Sequence, residues 1–294
     1  MKKVLSIAAL LLFQTLAGRA QDWDSVKGSA AYVWGEGWGA SVEEADREAL
    51  SDLASKIAVG VTSEFSSIER QTRSTQGDGY FSRQSSSISS SSSVILCNTS
   101  RAVLKKGRKA HVGRWISREE IRKLFANRQE RVLEYESAAL TAEGDGRIGD
   151  ALKNHYRAYA LLCTLQRPSE VTDSEGRLLL NSIPESMDRI LDGLTVWCTG
   201  KTGDVVTLSF TYGGHAVNGL DFTYFDGTGW SSRHSVMSGK ARLEMAPGAL
   251  AEVIQLRIEY EYRSDTLLDT ELAGIMSVAD SSLLRKSFIT FRRI

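Results

Sequence analysis

Tyr32-Val33-Trp34-Gly35-Glu36-Gly37-Trp38-Gly39-Ala40-Ser41-Val42-Glu43-Glu44-Ala45 is the stretch from which the fold is read. Successive residues of an extended chain point to opposite faces. Tyr32, Trp34 and Trp38 therefore share one side of a strand, while Ala31, Val33, Gly35 and Gly37 share the other. A face of glycines predicts that another element packs against this backbone at close range. Ser41-Val42-Glu43-Glu44 is a capping box, in which a serine hydroxyl and a glutamate three residues later satisfy the first amides of a helix. Behind it Val42, Ala45, Ala49, Leu53 and Ile57 recur at three- and four-residue spacing, predicting an alanine-lined helix close to the sheet.

Further along, Ile57, Val59 and Val61 alternate, as do Val94 and Leu96, around a stretch in which Ser85 to Ser93 holds one non-serine residue, Ile88. Such a stretch reads either as a flexible linker or as a solvated hairpin with its tip around Gln76-Gly77-Asp78-Gly79. Apolar alternation on both sides favours the hairpin. Lys105-Lys106-Gly107-Arg108-Lys109 then makes a basic turn before a strand from Ala110 to Ile116. Four cations at a hairpin tip read as a solvated turn rather than a nucleic-acid or anionic-lipid patch. Ser117-Arg118-Glu119-Glu120 repeats the capping box, and Ile121, Leu124, Phe125 and Val132 form the stripe of the next helix. Residues 21–128 thus read as a small α+β domain.

The Gly35-Glu36-Gly37 strand, the capped helix with Glu44-Ala45 and Ala49, and Ile57-Val59-Val61 resemble the Lpp-twenty type envelope lipoproteins and the amino-terminal domain of the flagellar assembly protein FlgT. The resemblance spans about residues 28–134. It implies an envelope-associated module that assembles with other components and carries no catalytic residue over to this chain. A rival reading is that Gly35-Glu36-Gly37-Trp38-Gly39-Ala40 fits the glycine fingerprint of a dinucleotide-binding turn. Bulky Trp38 inside that turn and the lack of a second strand-helix-strand unit weigh against it.

Residues 129–194 read as a helical spacer. Glu143-Gly144-Asp145-Gly146 supplies a turn, and Ile148, Ala151, Leu152, Tyr156, Tyr159 and Leu162 give the second helix of a hairpin its apolar face. Asp150-Ala151-Leu152 with Tyr156 resembles one tetratricopeptide-like unit, and a further helix is expected from Pro184 to Leu191. Beyond Thr195 the period changes to two. Val206, Leu208, Phe210 and Tyr212 share a face, as do Leu220, Phe222 and Tyr224, and Ile254, Leu256, Ile258, Tyr260 and Tyr262. Turns at Gly213-Gly214, Asp226-Gly227 and Pro247-Gly248 separate them. Residues 195–294 therefore read as an antiparallel β-sandwich that resembles an immunoglobulin-like module and is large enough to fold alone.

The amino-terminal residues 1–20 read as a signal peptide. Lys2 and Lys3 precede an apolar run from Val4 to Leu16, and the small residues Ala17, Gly18 and Ala20 follow. Leu16-Ala17-Gly18 is how a lipoprotein signal ends, yet Arg19 stands where the lipidated cysteine would be. Export to the periplasm or beyond, without lipidation, is expected. No later apolar run approaches the ~18 residues of a transmembrane span. Removal of Lys2, Lys3 and Arg19 leaves 33 basic against 36 acidic side chains, so no basic excess points to nucleic acid. Cys97, Cys163 and Cys198 are far apart and odd in number, so they read as buried apolar residues, with at most one disulfide among them.

Catalytic patterns are weak. His111, His155, His215 and His234 lie at no zinc-binding spacing. Asp204, Asp221 and Asp226 could supply paired carboxylates for glycoside hydrolysis, though Asp226-Gly227 reads as a turn. Tyr224, Phe225 and Trp230 are the candidate binding residues, able to stack on a sugar if exposed or to fill a core if not. The expectation is a non-enzymatic, exported cell-envelope protein without a cofactor that binds envelope proteins, or alternatively polysaccharide or peptidoglycan through the sandwich.

Overall fold

The computed structural model describes residues 23–72, 99–247, 253–266, 268–278 and 288–292. The signal segment, the tip at Gln76–Gly79, the serine run, Val94 and Leu96, Cys97, and Gly248 of the Pro247-Gly248 turn lie outside the described residues. The chain is α+β, and it divides into two compact units, one of residues 1–56 and 98–120, the other of residues 57–97 and 121–294.

The first unit holds a short helix α1 (Trp23–Gly28), β1 (Tyr32–Gly39), the part of α2 (Val42–Thr72) up to Lys56, β2 (Ser100–Lys105) and β3 (Ala110–Ser117). The sheet is antiparallel in the order β1-β3-β2. The glycine face is closed as expected. A Cβ on Gly35 would stand 2.5 Å from the Ala49 carbonyl oxygen, and one on Gly37 would stand 2.2 Å from both the Ala45 oxygen and the Ala49 nitrogen. Only a residue without a side chain lets helix backbone and strand backbone touch here. Ala45, Ala49, Ala110 and Val112 fill the contact, and Arg114 of β3 pins it by donating from Nε and Nη2 to the two oxygens of Asp46, at 2.7 and 2.8 Å. On the opposite face Trp23 covers Gly113, where a Cβ would lie 2.5 Å from its ring, and packs edge-on to Trp34 at 5.8 Å.

One expectation changes in this region. Ile57, Val59 and Val61 do not begin a strand, because α2 runs through them to Thr72. Ile57, Val61, Phe65 and Ile68 also recur at four, four and three residues, so the helical period was present beneath the alternation. The rival dinucleotide reading, already weighed against, fits no better here, because β1 and β3 are antiparallel neighbours whereas such a turn belongs to a parallel strand-helix-strand unit. The glycines are occupied by the chain's own helix.

The helix opened by Ser117, α3 (Arg118–Gly144), passes Gln129 without a break. Its capping box is reciprocal: the Glu120 amide donates to Ser117 Oγ at 3.0 Å and the Ser117 amide donates to Glu120 Oε2 at 3.1 Å. In the second unit, α4 (Ile148–Leu162) buries all six residues of its expected stripe. Helix α5 (Leu179–Gly193) starts five residues before Pro184 and carries that proline in its interior, where one backbone hydrogen bond is lost. It runs directly into β4 (Leu194–Thr202).

The remaining strands are β5 (Val205–Tyr212), β6 (His215–Ala216), β7 (Asp221–Tyr224), β8 (His234–Ser235), β9 (Lys240–Glu244), β10 (Val253–Ile258) and β11 (Phe288–Arg292). They form two four-stranded sheets, one of β11-β10-β7-β8 and one in which β5 pairs β4 on one side and β6 and β9 on the other. Phe210 of one sheet and Phe222 of the other meet at 5.3 Å, both fully buried. The expected strand from Ile254 to Tyr262 stops at Ile258. Tyr262 takes φ +47°, and the chain turns away into α6 (Thr270–Val278) while Tyr260 and Tyr262 stay buried. One cluster of buried side chains includes Leu152 and Tyr156 of α4, Ile183 and Ile190 of α5, Phe210, Phe222 and Leu256 of the sheets, and Leu272 and Ile275 of α6. Arg128 of α3, almost wholly buried, donates from Nε to Glu271 at the start of α6 at 2.6 Å. Cys163 and Cys198 are free thiols, and burial pushes the Cys163 thiol up to about 12. No helix among the described residues is long and apolar enough to cross a membrane.

Candidate functional site

The outer surface of the β7-β10 pair carries the strongest candidate. Strand alternation sends Phe222 and Tyr224 inward and Phe225 outward. Tyr224 is consequently a core residue. Its hydroxyl donates to the Glu244 carbonyl and accepts from the Glu244 amide, both at 2.8 Å, and burial raises its pKa. A ligand outside the sheet does not reach it, so of the three aromatic candidates the fold brings only Phe225 and Trp230 together.

These two pair across the neck of a tight turn, ring centroids 6.0 Å apart and nearly perpendicular, at 37% and 39% exposure. The turn is built by Asp226. Its Oδ1 accepts the amides of Thr228 and Gly229 at 2.7 and 2.8 Å and the Thr228 hydroxyl at 2.8 Å. Gly227 supplies the left-handed φ of +107° that a β-carbon resists. The Gly229 amide, then the Thr228 amide and hydroxyl, hold the Asp226 carboxyl below the usual aspartate range. The Phe225 amide donates to Gln255 of β10 at 3.1 Å, which ties the turn to the sheet.

Arg257, exposed on β10, lays its guanidinium over the Trp230 ring at 4.4 Å. Sequence reading missed this partner, since only the register Arg257↔Thr223 places it beside the hairpin. The cluster therefore offers two aromatic edges and a delocalised cation on a rigid, two-strand base.

The three aspartates weighed for hydrolysis have local roles or none visible here. Asp226 builds the turn, and Asp221 accepts from the Ser235 hydroxyl and lies 3.6 Å from Arg233. Asp204 is exposed, and its carbonyl accepts the Met245 amide. His155 is fully buried, with Nδ1 2.8 Å from Glu136. Among the described residues no group of three histidine, cysteine, aspartate or glutamate side chains is placed to hold a metal ion. No family model, no curated protein and no solved structure matches this chain.

Proposed function

We propose that this chain is a non-enzymatic, exported cell-envelope protein that binds another envelope protein through Phe225, Trp230 and Arg257. The observation that carries this reading is the exposed Trp-Arg stack with an adjoining phenylalanine on a two-strand base. Tryptophan and arginine are the residue types that dominate binding energy at protein interfaces, and a rigid base spares the entropy of ordering them. The export part rests on residues 1–20, with Arg19 in the lipidation position.

Cross-linking in intact cells followed by purification tests it. Wild-type protein captures a specific envelope protein, and Trp230→Ala, folded by circular dichroism, loses at least ten-fold of it. Capture unchanged by Trp230→Ala removes this surface from consideration. A second reading, polysaccharide or peptidoglycan binding by the same residues, is supported by the Trp230 ring lying against the hydrogen-bonding guanidinium of Arg257. Co-sedimentation with purified sacculi, lost in Trp230→Ala, would favour it over the protein partner.

A further inference from the structure

β1 is an edge strand, with β3 on one side only. Three amides along that open side are nevertheless occupied, and by one helix. The Ala40, Trp38 and Glu36 amides donate to the carboxylates of Glu44, Glu48 and Asp52, at 2.7, 2.5 and 3.0 Å. Lys56 completes the series by donating to the Trp34 carbonyl at 3.0 Å and to Asp52 at 2.8 Å. The four side chains are spaced by four residues, about 6 Å along a helix, which matches the roughly 6.6 Å between alternate residues of a strand. The two elements run side by side in opposite directions, so the matching repeats from Trp34 to Ala40.

The sequence of this edge reads the same in both directions about Glu36: Trp34-Gly35-Glu36-Gly37-Trp38. In an antiparallel pair with a second copy centred on Glu36, Trp34 of each copy would stand opposite Trp38 of the other, and glycine opposite glycine. Aromatic cross-strand pairs are among the favourable ones. Glu36 opposite Glu36 would not be a bare pair of like charges, because Lys27 sits 3.2 Å from it and the Trp23 indole donates to it at 3.1 Å. The outward groups such a partner would use are the ones that Glu44, Glu48, Asp52 and Lys56 now hold. Trp38, at 56% exposure and stacked on His111 at 4.5 Å, already stands in the open.

We infer that β1 is a self-complementary pairing edge for a second copy of this chain, held shut by the side chains of α2. Exposed strand edges invite pairing, and charged side chains are a usual means of blunting them. Here the blunting groups come from a helix and act by occupying the edge amides rather than by repulsion alone.

Full-length protein carrying Glu44→Ala, Glu48→Ala and Asp52→Ala together is compared with wild type by sedimentation over micromolar concentrations, with circular dichroism as the check on folding. The triple variant is expected to approach twice the wild-type mass as concentration rises. Adding Trp38→Pro, which removes one outward amide while leaving the bonds to β3, should abolish the gain. A folded triple variant with wild-type mass, or a gain that survives Trp38→Pro, overturns the inference. Should the triple variant fail to fold, Glu48→Ala alone is read by hydrogen exchange. The Trp38 amide should exchange at least ten-fold faster than in wild type when dilute and slow again when concentrated, with Gly37 unchanged. Exchange at Trp38 that is unaltered, or that ignores concentration, overturns it equally.

Discussion

Gly37 has helix backbone where its side chain would be, so even a methyl group forces the Ala45–Ala49 segment of α2 away from the sheet. Gly37→Ala is expected to cost roughly 1 to 3 kcal/mol, the usual range for overpacking a filled contact. Gly28→Ala, at a site with nothing within 4 Å, should stay within about 0.5 kcal/mol of wild type. Chemical denaturation of the two variants checks the contrast. Asp226 acts in the other direction, through charge. Its folded-state pKa is depressed, so the stability it contributes is present above the ordinary aspartate value of about 3.9 and is lost as pH falls through the lower folded value. The Thr228 and Gly229 amide resonances should therefore shift cooperatively below about pH 4, and in Asp226→Asn they should not titrate.

Besides the side chains that line the edge of β1, helix α2 is attached to the sheet by two contacts that fail differently. The glycine-alanine contact is insensitive to pH. The Arg114–Asp46 pin is not, since the hydrogen bonds from Arg114 lower the Asp46 pKa and its contribution disappears as pH drops below about 4. Asp46→Asn should remove part of the acid sensitivity of unfolding below about pH 4 while lowering stability at neutral pH, measured by thermal melts at acid and neutral pH. Helix α6 is fastened through Arg128 instead. Breaking a buried pair costs about 3 to 5 kcal/mol. Arg128→Met should cost less, about 1 to 3 kcal/mol, because Glu271 is 29% exposed and keeps its bond to Arg131 at 2.6 Å.

At the scale of the second unit, helices and sheets share one apolar cluster. Leu179, Ile183, Met187 and Ile190 of α5 are buried in the cluster that also holds Phe210, Phe222 and Leu256. A fragment beginning at Pro184 would cut α5 in the middle and leave the strands without Leu152, Tyr156 and Leu179. It should show no cooperative thermal transition, in contrast to a chain that begins at residue 118 and keeps α3, α4 and α5. A sharp transition in the shorter fragment would mean that the two sheets suffice as a core.

The sequence by itself determined the features that depend on near neighbours. The glycine face of β1, both capping boxes, the apolar stripe of α4 and the inward residues of β5, β7 and β10 all follow from periodicities of two and 3.6. It also carried two periods at once, an alternation from Ile57 to Val61 and a helical spacing from Ile57 to Ile68, and the chain took the helix. Tyr224 and Phe225 were indistinguishable as candidates until the sheet register turned one inward and the other outward. Arg257 beside Trp230, and Glu44, Glu48 and Asp52 along the edge of β1, are pairings between separate elements. Which strand lies next to which helix is set by long-range packing and hydrogen bonding, and no local spacing records it.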